Sequence, residues 1–340
     1  MELLKTQYRA AVVQAEPVWL DADATIEKAI GLIGQAADAG VDLVAFPETW
    51  VPGYPWWIWL GAPAWGMQFV QRYFENSLVV GEERLRRVQD AAAAHGIHVS
   101  LGFSERAGGS LYMAQALIDA SGAIVSARRK LKPTHVERSV FGEGAGCDLA
   151  VVDLPIGKVG SLCCWEHLQP LTRYAMYSKG EQVHVAAWPA FSLYSGLAYA
   201  LGPEVNLAAS RMYAVEGQCY VLAACAVIGQ AGQSMFCDTP DKVELLPTGG
   251  GHARIFAPDG RELGEALDEH AEGLVIADID LGAIALAKAA ADPVGHYARP
   301  DVTRLYLNSS PLPRVEEMPA VARATREEAV EPELEPEEVV

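Results

Sequence analysis

The sequence predicts a mixed α/β fold. Three observations point to it: short apolar runs alternate with amphipathic stretches, Ser121-Gly122 sits between two β-rich runs, and prolines and glycines punctuate the helical segments. Tyr8–Gln14 is a β-rich run. Asp21 and Asp23 can cap a helix carrying Ile26, Ala29, Ile30 and Ile33, closed by Gly40. Val41–Phe46 is a short apolar strand ending at Pro47. Glu82–His95 reads as a helix and Ile97–Phe103 as a strand. Leu111–Asp119 and Ala123–Lys130 read as a hairpin around Ser121-Gly122. Lys158–Cys163 is a strand, and Pro170–Ser178 a helix with proline in its first turn and Gly180 beyond its end. Val183–Trp188 is a strand, Pro203–Glu216 a helix and Cys219–Ala226 a strand. His252–Phe256 and Gly273–Asp278 are late strands. Strands alternating with helices imply sheets covered by helices.

The 340 residues are 51% hydrophobic, enough to bury a sizeable core. The net charge of −18 repels phosphate backbones and anionic membranes, so neither nucleic acid nor membrane is an expected partner. The start of the chain has no apolar stretch behind a basic cap, and no window reaches the ~18 apolar residues of a membrane helix. Six cysteines without a CxxC pair argue against a structural zinc site and fit reduced thiols in the cytoplasm. Cys147 reads as incidental. From residue 314 to 340 there are nine Glu, three Arg and no aromatic residue. We therefore expect one domain over 1–313 and an acidic, mostly disordered tail over 314–340, with a short helix around Val321–Ala329.

Three segments place a reactive group at a strand end beside a turn-forming residue. In Phe46-Pro47-Glu48-Thr49-Trp50 a carboxylate enters an aromatic-rich stretch with Tyr54, Trp56, Trp57 and Trp59. Apolar surroundings raise a carboxyl pKa and suit a general base; an exposed loop Glu is the plainer reading. In the segment from Arg128 to Arg138, Lys132 precedes Pro133 and lies five residues from Glu137. From that segment alone, a solvated basic strand edge is the better reading. In Leu162-Cys163-Cys164-Trp165-Glu166-His167 a thiol stands at a strand-to-helix junction, where backbone N–H groups and the helix dipole lower its pKa. Buried structural cysteines are the alternative. The Cys–Glu–His run at 164–167 does not read as a metal site, because such close neighbours rarely converge on one ion.

FPETW, RRKLKPTHVER followed by FGEG, and LCCWEH, together with AAWPAFSLY at 186–194 and GHYARPDV at 295–302, resemble the nitrilase branch of the carbon–nitrogen hydrolases. The resemblance runs from about Tyr8 to Val302. It implies an α-β-β-α sandwich, two facing mixed sheets with helices outside. It implies Glu48 as general base, Lys132 as stabilising cation, Cys164 as nucleophile and Glu137 as a second glutamate holding the lysine. It implies no metal and no organic cofactor. The implied activity is hydrolysis of an organic nitrile, arylaceto- or aliphatic, to a carboxylic acid and ammonia. An amidase or carbamoylase, a cyanide-hydrolysing relative and an inactive filament-forming scaffold are the competing readings. The resemblance also implies a homo-oligomer, a dimer built through helices near Pro170–Ser178 and Pro203–Glu216 that assembles further into spirals or filaments. The stretch after Glu143, GAGCDL, departs from the usual pattern of an Asp and a Ser. Tyr54, Trp165 and Trp188 are the expected substrate-binding residues, with a core role an equal reading for Trp188. His135 is a weaker pocket candidate, and His296 is structural or a pocket neighbour.

Overall fold

The computed structural model describes residues 4–313 and 315–318. The first half runs β1 (Gln7–Ala15), α1 (Ala22–Asp38), β2 (Leu43–Ala45), α2 (Trp57–Leu60), α3 (Pro63–Asn76) and α4 (Glu83–His95). There follow β3 (His98–Ala107), β4 (Ser110–Ile118), β5 (Ile124–Arg129) and β6 (Phe141–Gly142). The second half comprises β7 (Val151–Leu154), β8 (Gly157–Cys163), α5 (Pro170–Ser178), β9 (Val183–Trp188), α6 (Pro203–Gly217) and β10 (Tyr220–Ala226). It ends with α7 (Gln230–Phe236), α8 (Pro240–Leu245), β11 (Arg254–Phe256), β12 (Glu262–Leu263), β13 (Gly273–Asp280) and α9 (Gly282–Ala290).

Strand pairing forms one hydrogen-bonded path, β5-β4-β3-β2-β1-β10-β9-β8-β7. It divides naturally at β1. That strand pairs with β2 on one edge and, antiparallel along Gln7–Gln14, with β13. It meets β10 only at Gln14–Cys225 and Ala15–Ala226. Two sheets therefore face each other and share one corner.

The period-2 alternation of β1 shows how they stack. Ala11 and Val13 pack with Ile26, Ala29, Leu85 and Val88 of α1 and α4. Ala10 and Val12 pack inward with Val159, Val183 and Val185 of the second sheet, whose other side is covered by Met176 of α5 and Tyr213 of α6. The order is helix, sheet, sheet, helix, which is the α-β-β-α sandwich that the motifs imply. Each fully buried large apolar side chain contributes roughly 2 kcal/mol.

Most element boundaries agree with the sequence reading to within two residues. Asp21 caps α1, its side chain accepting from Ala24 N at 3.0 Å. The helices α2, α3, α7, α8 and α9 were not anticipated. The apolar residues of α9, GAIALAKAA, form no one-sided stripe, and several stay exposed. Among the described residues no helix is long and apolar enough to cross a membrane. The expected tail helix around Val321–Ala329 lies outside the described residues.

Candidate active site

Three strand ends converge. Glu48 lies three residues past β2, Lys130 is the first residue after β5, and Cys164 the first after β8. A 3-10 turn, His135–Ser139, supplies Glu137. Lys130 Nζ donates to Glu48 Oε1 at 2.9 Å and to Glu137 Oε2 at 2.8 Å, and all three side chains are shut off from solvent. Glu137 is fixed further by Thr134 N (2.5 Å) and by Tyr54 OH, which donates to Oε1 at 2.7 Å. Trp59 Nε1 donates in turn to Tyr54 OH at 3.0 Å.

The cation in this cluster is Lys130, which corrects the expectation for Lys132. Lys132 is more than half exposed and pairs with Glu143 at the surface. The backbone explains the difference. Arg128 and Lys130 share the inward face of β5 and of the residue after it, while Pro133 holds Lys132 in chain already leading away.

Burial pushes the Glu48 carboxyl up to about 8; the Glu137 charge adds to the rise, and Lys130 opposes it. Glu48 Oε2 is buried with no hydrogen-bond partner among the described residues. Lys130 is held well above the ordinary lysine range: its two carboxylates outweigh the cost of burying it. The Cys164 thiol is pushed well above the ordinary range, by burial first and the Glu48 charge second; Lys130 and the Trp165 N–H oppose this. A lowered thiol pKa was expected, and the structure corrects that too. No α-helix begins at Cys164: a single 3-10 turn, Cys164–Leu168, intervenes before α5. Cys164 itself adopts φ 44°, a left-handed conformation uncommon for a residue with a side chain.

Glu166 locks the lysine segment to the cysteine segment. Its Oε1 accepts from Arg128 Nη2 (2.7 Å) and Leu131 N (2.8 Å), and its Oε2 from Cys163 N (2.7 Å). The Arg128 guanidinium beside it holds its carboxyl below the usual range despite burial. Neither Lys130 nor Glu166 was singled out from the sequence for a functional role. The available signal was the alternation that puts Arg128 and Lys130 on one face.

A cleft opens onto Cys164 and Glu137, with Tyr54, Trp59, Trp165 and Phe191 among its walls. Tyr54 and Trp165 both line this cleft. Trp188 does not line the cleft. It is a core residue whose indole N–H donates to Ser210 Oγ at 3.0 Å and whose ring stacks on His167. His135 stacks on Trp59, with ring centroids 5.4 Å apart. His296 and Cys147 are exposed.

The site combines a neutral thiol, a carboxylate able to take its proton, and a buried ammonium beside the developing charge. That set suits attack on an electrophilic carbon followed by hydrolysis of the acyl-enzyme. The profile of the carbon-nitrogen hydrolase family matches residues 9–289. A nitrilase from Pseudomonas syringae pv. syringae is 58% identical over 316 residues, covering 93% of this chain and 94% of that protein. An arylacetone-specific nitrilase from Alcaligenes faecalis is 51% identical over 329 residues, covering 96% and 91%. The crystal structure of the C. elegans NitFhit protein superposes with a TM-score of 0.68 at 20% identity, covering 90% of this chain and 68% of that one.

Proposed function

Since the chain belongs to the carbon–nitrogen hydrolase family, we propose that it is a nitrilase, converting an organic nitrile and two waters to a carboxylic acid and ammonia. The observation that carries this reading is the Lys130 ammonium clamped between Glu48 and Glu137 behind a cleft that ends on Cys164. The Glu48 carboxylate takes the Cys164 proton as sulfur attacks the nitrile carbon. The nitrile nitrogen receives that proton, and the product is a thioimidate. A first water, deprotonated by Glu48, adds to the same carbon. Lys130 and the Trp165 N–H stabilise the negative oxygen that forms. The amino nitrogen is protonated and leaves as ammonia, giving a thioester. A second water, activated the same way, releases the acid and restores the thiol. Glu137 holds Lys130 in place and keeps its charge balanced, so no buried charge is stranded during proton transfer.

The aromatic walls of the cleft favour an arylaceto- or medium-sized aliphatic nitrile over a strongly polar substrate. The reaction needs no cofactor. We place the enzyme in the cytoplasm, where its thiols stay reduced, as a homo-oligomer that begins with a dimer through α5 and α6. We assign residues 1–313 to the catalytic domain; of the acidic tail expected over 314–340, all but 315–318 lies outside the described residues.

The test is ammonia and acid release from phenylacetonitrile, mandelonitrile, benzonitrile, an aliphatic dinitrile, cyanide and the matching amides, with Cys164→Ala alongside. Acid from organic nitriles but not amides is the expected result. Turnover of amides alone, or of cyanide alone, would move the enzyme to a sister activity. Silence on every substrate would favour a scaffold, and a folded Cys164→Ala protein that still releases ammonia would overturn the mechanism.

A further inference from the structure

Four buried polar side chains, none of them lining the cleft, form a single hydrogen-bonded line that ends on Cys164. Tyr213 OH donates to Glu181 Oε2 at 2.7 Å. Glu181 Oε1 lies 2.7 Å from His184 Nδ1. His184 Nε2 lies 2.9 Å from His167 Nε2, and His167 Nδ1 lies 2.6 Å from Cys164 O. All four residues are at most 3% exposed.

The hydrogens in this line follow from its last member. A carbonyl oxygen only accepts, so His167 Nδ1 carries the hydrogen and its Nε2 is left as an acceptor. His184 Nε2 must then donate. Burial pushes both imidazoles well below their ordinary range and the Glu181 carboxyl up to about 8. The neutral arrangement satisfies every atom: Tyr213 donates to Glu181, Glu181 to His184, His184 to His167, and His167 to Cys164 O. Each bond points toward the cysteine. Such an aligned chain polarises its members cooperatively.

Packing leaves the line little freedom. The His184 ring stacks on Tyr213 with centroids 3.7 Å apart, and His167 stacks on Trp188 at 5.0 Å. Glu181 fits only because position 160 is glycine: a Cβ there would lie 2.0 Å from Glu181 Oε1.

The Cys164 carbonyl and the Trp165 N–H are the two ends of one planar peptide unit and point in opposite directions. Holding the carbonyl on His167 therefore aims the N–H away from His167, toward the cysteine sulfur, whose anion it favours. At φ 44° Cys164 sits in a conformation that persists only where its surroundings enforce it. We propose that the Tyr213–Glu181–His184–His167 chain is a positioning device for the Cys164–Trp165 peptide, aiming and polarising the N–H that binds the anion formed in catalysis. This rests on the reading of Cys164 as nucleophile.

The test uses the full chain and phenylacetonitrile. His167→Leu removes the bond to Cys164 O, whereas His167→Asn keeps an amide N–H near the position of Nδ1. His167→Leu should lower kcat by about 10- to 100-fold with little change in KM, the loss expected for mis-aiming one oxyanion donor. His167→Asn should recover most of that loss. Glu181→Gln, which still donates to His184 and accepts from Tyr213, should turn over like the wild type, and Glu181→Leu should not. A folded His167→Leu protein with wild-type kcat would overturn the proposal, as would an Asn variant no better than Leu at equal Tm. Nitrogen-15 NMR of wild-type histidines covers the case where variants do not fold: His167 should be the Nδ1–H tautomer, and Nε2–H would overturn the proposal. Cys164→Ala separates the two levels. Its silence beside a fully active His167→Leu would sink the positioning role alone, and its turnover would remove the nucleophile reading underneath.

Discussion

Lys130 Nζ and Glu48 Oε1 lie 2.9 Å apart, and neither side chain reaches solvent. With Glu137 on the other side of the ammonium, two acidic side chains are buried against one cation. Lys130→Ala should therefore release no ammonia and should cost about 3–5 kcal/mol of stability, the usual penalty for leaving a buried charge uncompensated. Lys132→Ala removes an exposed pair with Glu143 and should cost ~0–1 kcal/mol with activity close to wild type. Ammonia assays and denaturant melts on both proteins check the pair. Equal losses at the two positions would contradict the placement of Lys130 as the site's cation.

The pH dependence should follow Glu48. A base works in its ionised form, and burial pushes this carboxyl up to about 8. kcat/KM should climb with pH through that value, not level off above the ordinary carboxyl range near 4.5. The Cys164 thiol shares the proton, so the limb belongs to the pair. Stability carries the opposite sign. The folded chain keeps this proton to about 8 while the unfolded chain releases it near 4.5, so the contribution of Glu48 to stability falls as pH rises across that window. A pH–rate profile and denaturant midpoints over the same range test both halves.

Why the sequence led to Lys132 and not Lys130 is instructive. The two lysines flank Leu131, and period-2 alternation puts both on one side of an extended chain. What separates them is where β5 stops, and strand ends are the least legible feature of a sequence. Lys130 follows Arg129 directly and stays under the sheet edge; Lys132 lies past the turn. Glu48 and Cys164 were legible because each stands against a Pro or a strand end within an apolar run. The role of Glu166 was hidden, since its partners Arg128 and Leu131 lie 38 and 35 residues away. The framework of strands and of α1, α4, α5 and α6 was readable from apolar periodicity. The helix α3 was not, because its few buried positions, Gly66, Phe69 and Tyr73, make a narrow stripe.

Gly102 in β3 supports the base from behind. A Cβ there would lie 1.9 Å from Pro47 O, a backbone atom that cannot swing aside. Gly102→Ala should push the Pro47-Glu48 segment away from Lys130. We expect kcat to fall at least about tenfold and stability to drop by about 1–3 kcal/mol. If both stay at wild-type values, the segment tolerates displacement and the placement of Glu48 is looser than its hydrogen bond implies.

Tyr54 joins the catalytic cluster to the cleft wall, donating to Glu137 Oε1 at 2.7 Å and accepting from Trp59 Nε1 at 3.0 Å. Tyr54→Phe keeps the ring and leaves one buried carboxylate oxygen and one indole N–H short of a partner. The cost should be about 1–3 kcal/mol, with turnover reduced for every nitrile alike, because Glu137 holds the cation and not the substrate. A change in substrate ranking without loss of rate would assign Tyr54 to recognition alone.

Trp59 is the residue expected to set substrate size. His135 stacks on its ring, Tyr54 accepts from its indole N–H, and Tyr194 OH donates to its carbonyl at 2.5 Å. A wall held at three points does not swing aside for a larger ligand. Trp59→Ala should open the cleft and favour bulky nitriles, raising the kcat/KM ratio of diphenylacetonitrile to propionitrile by roughly tenfold to a hundredfold, the range that a few methylene-sized differences in pocket fit produce. The loss of Tyr54's partner should lower absolute rates at the same time, so the ratio is the decisive quantity. Competition between the two nitriles in one reaction measures it directly. An unchanged ratio would mean that substrate size is limited elsewhere, with Phe191 and Leu193, which also line the cleft, the next positions to substitute.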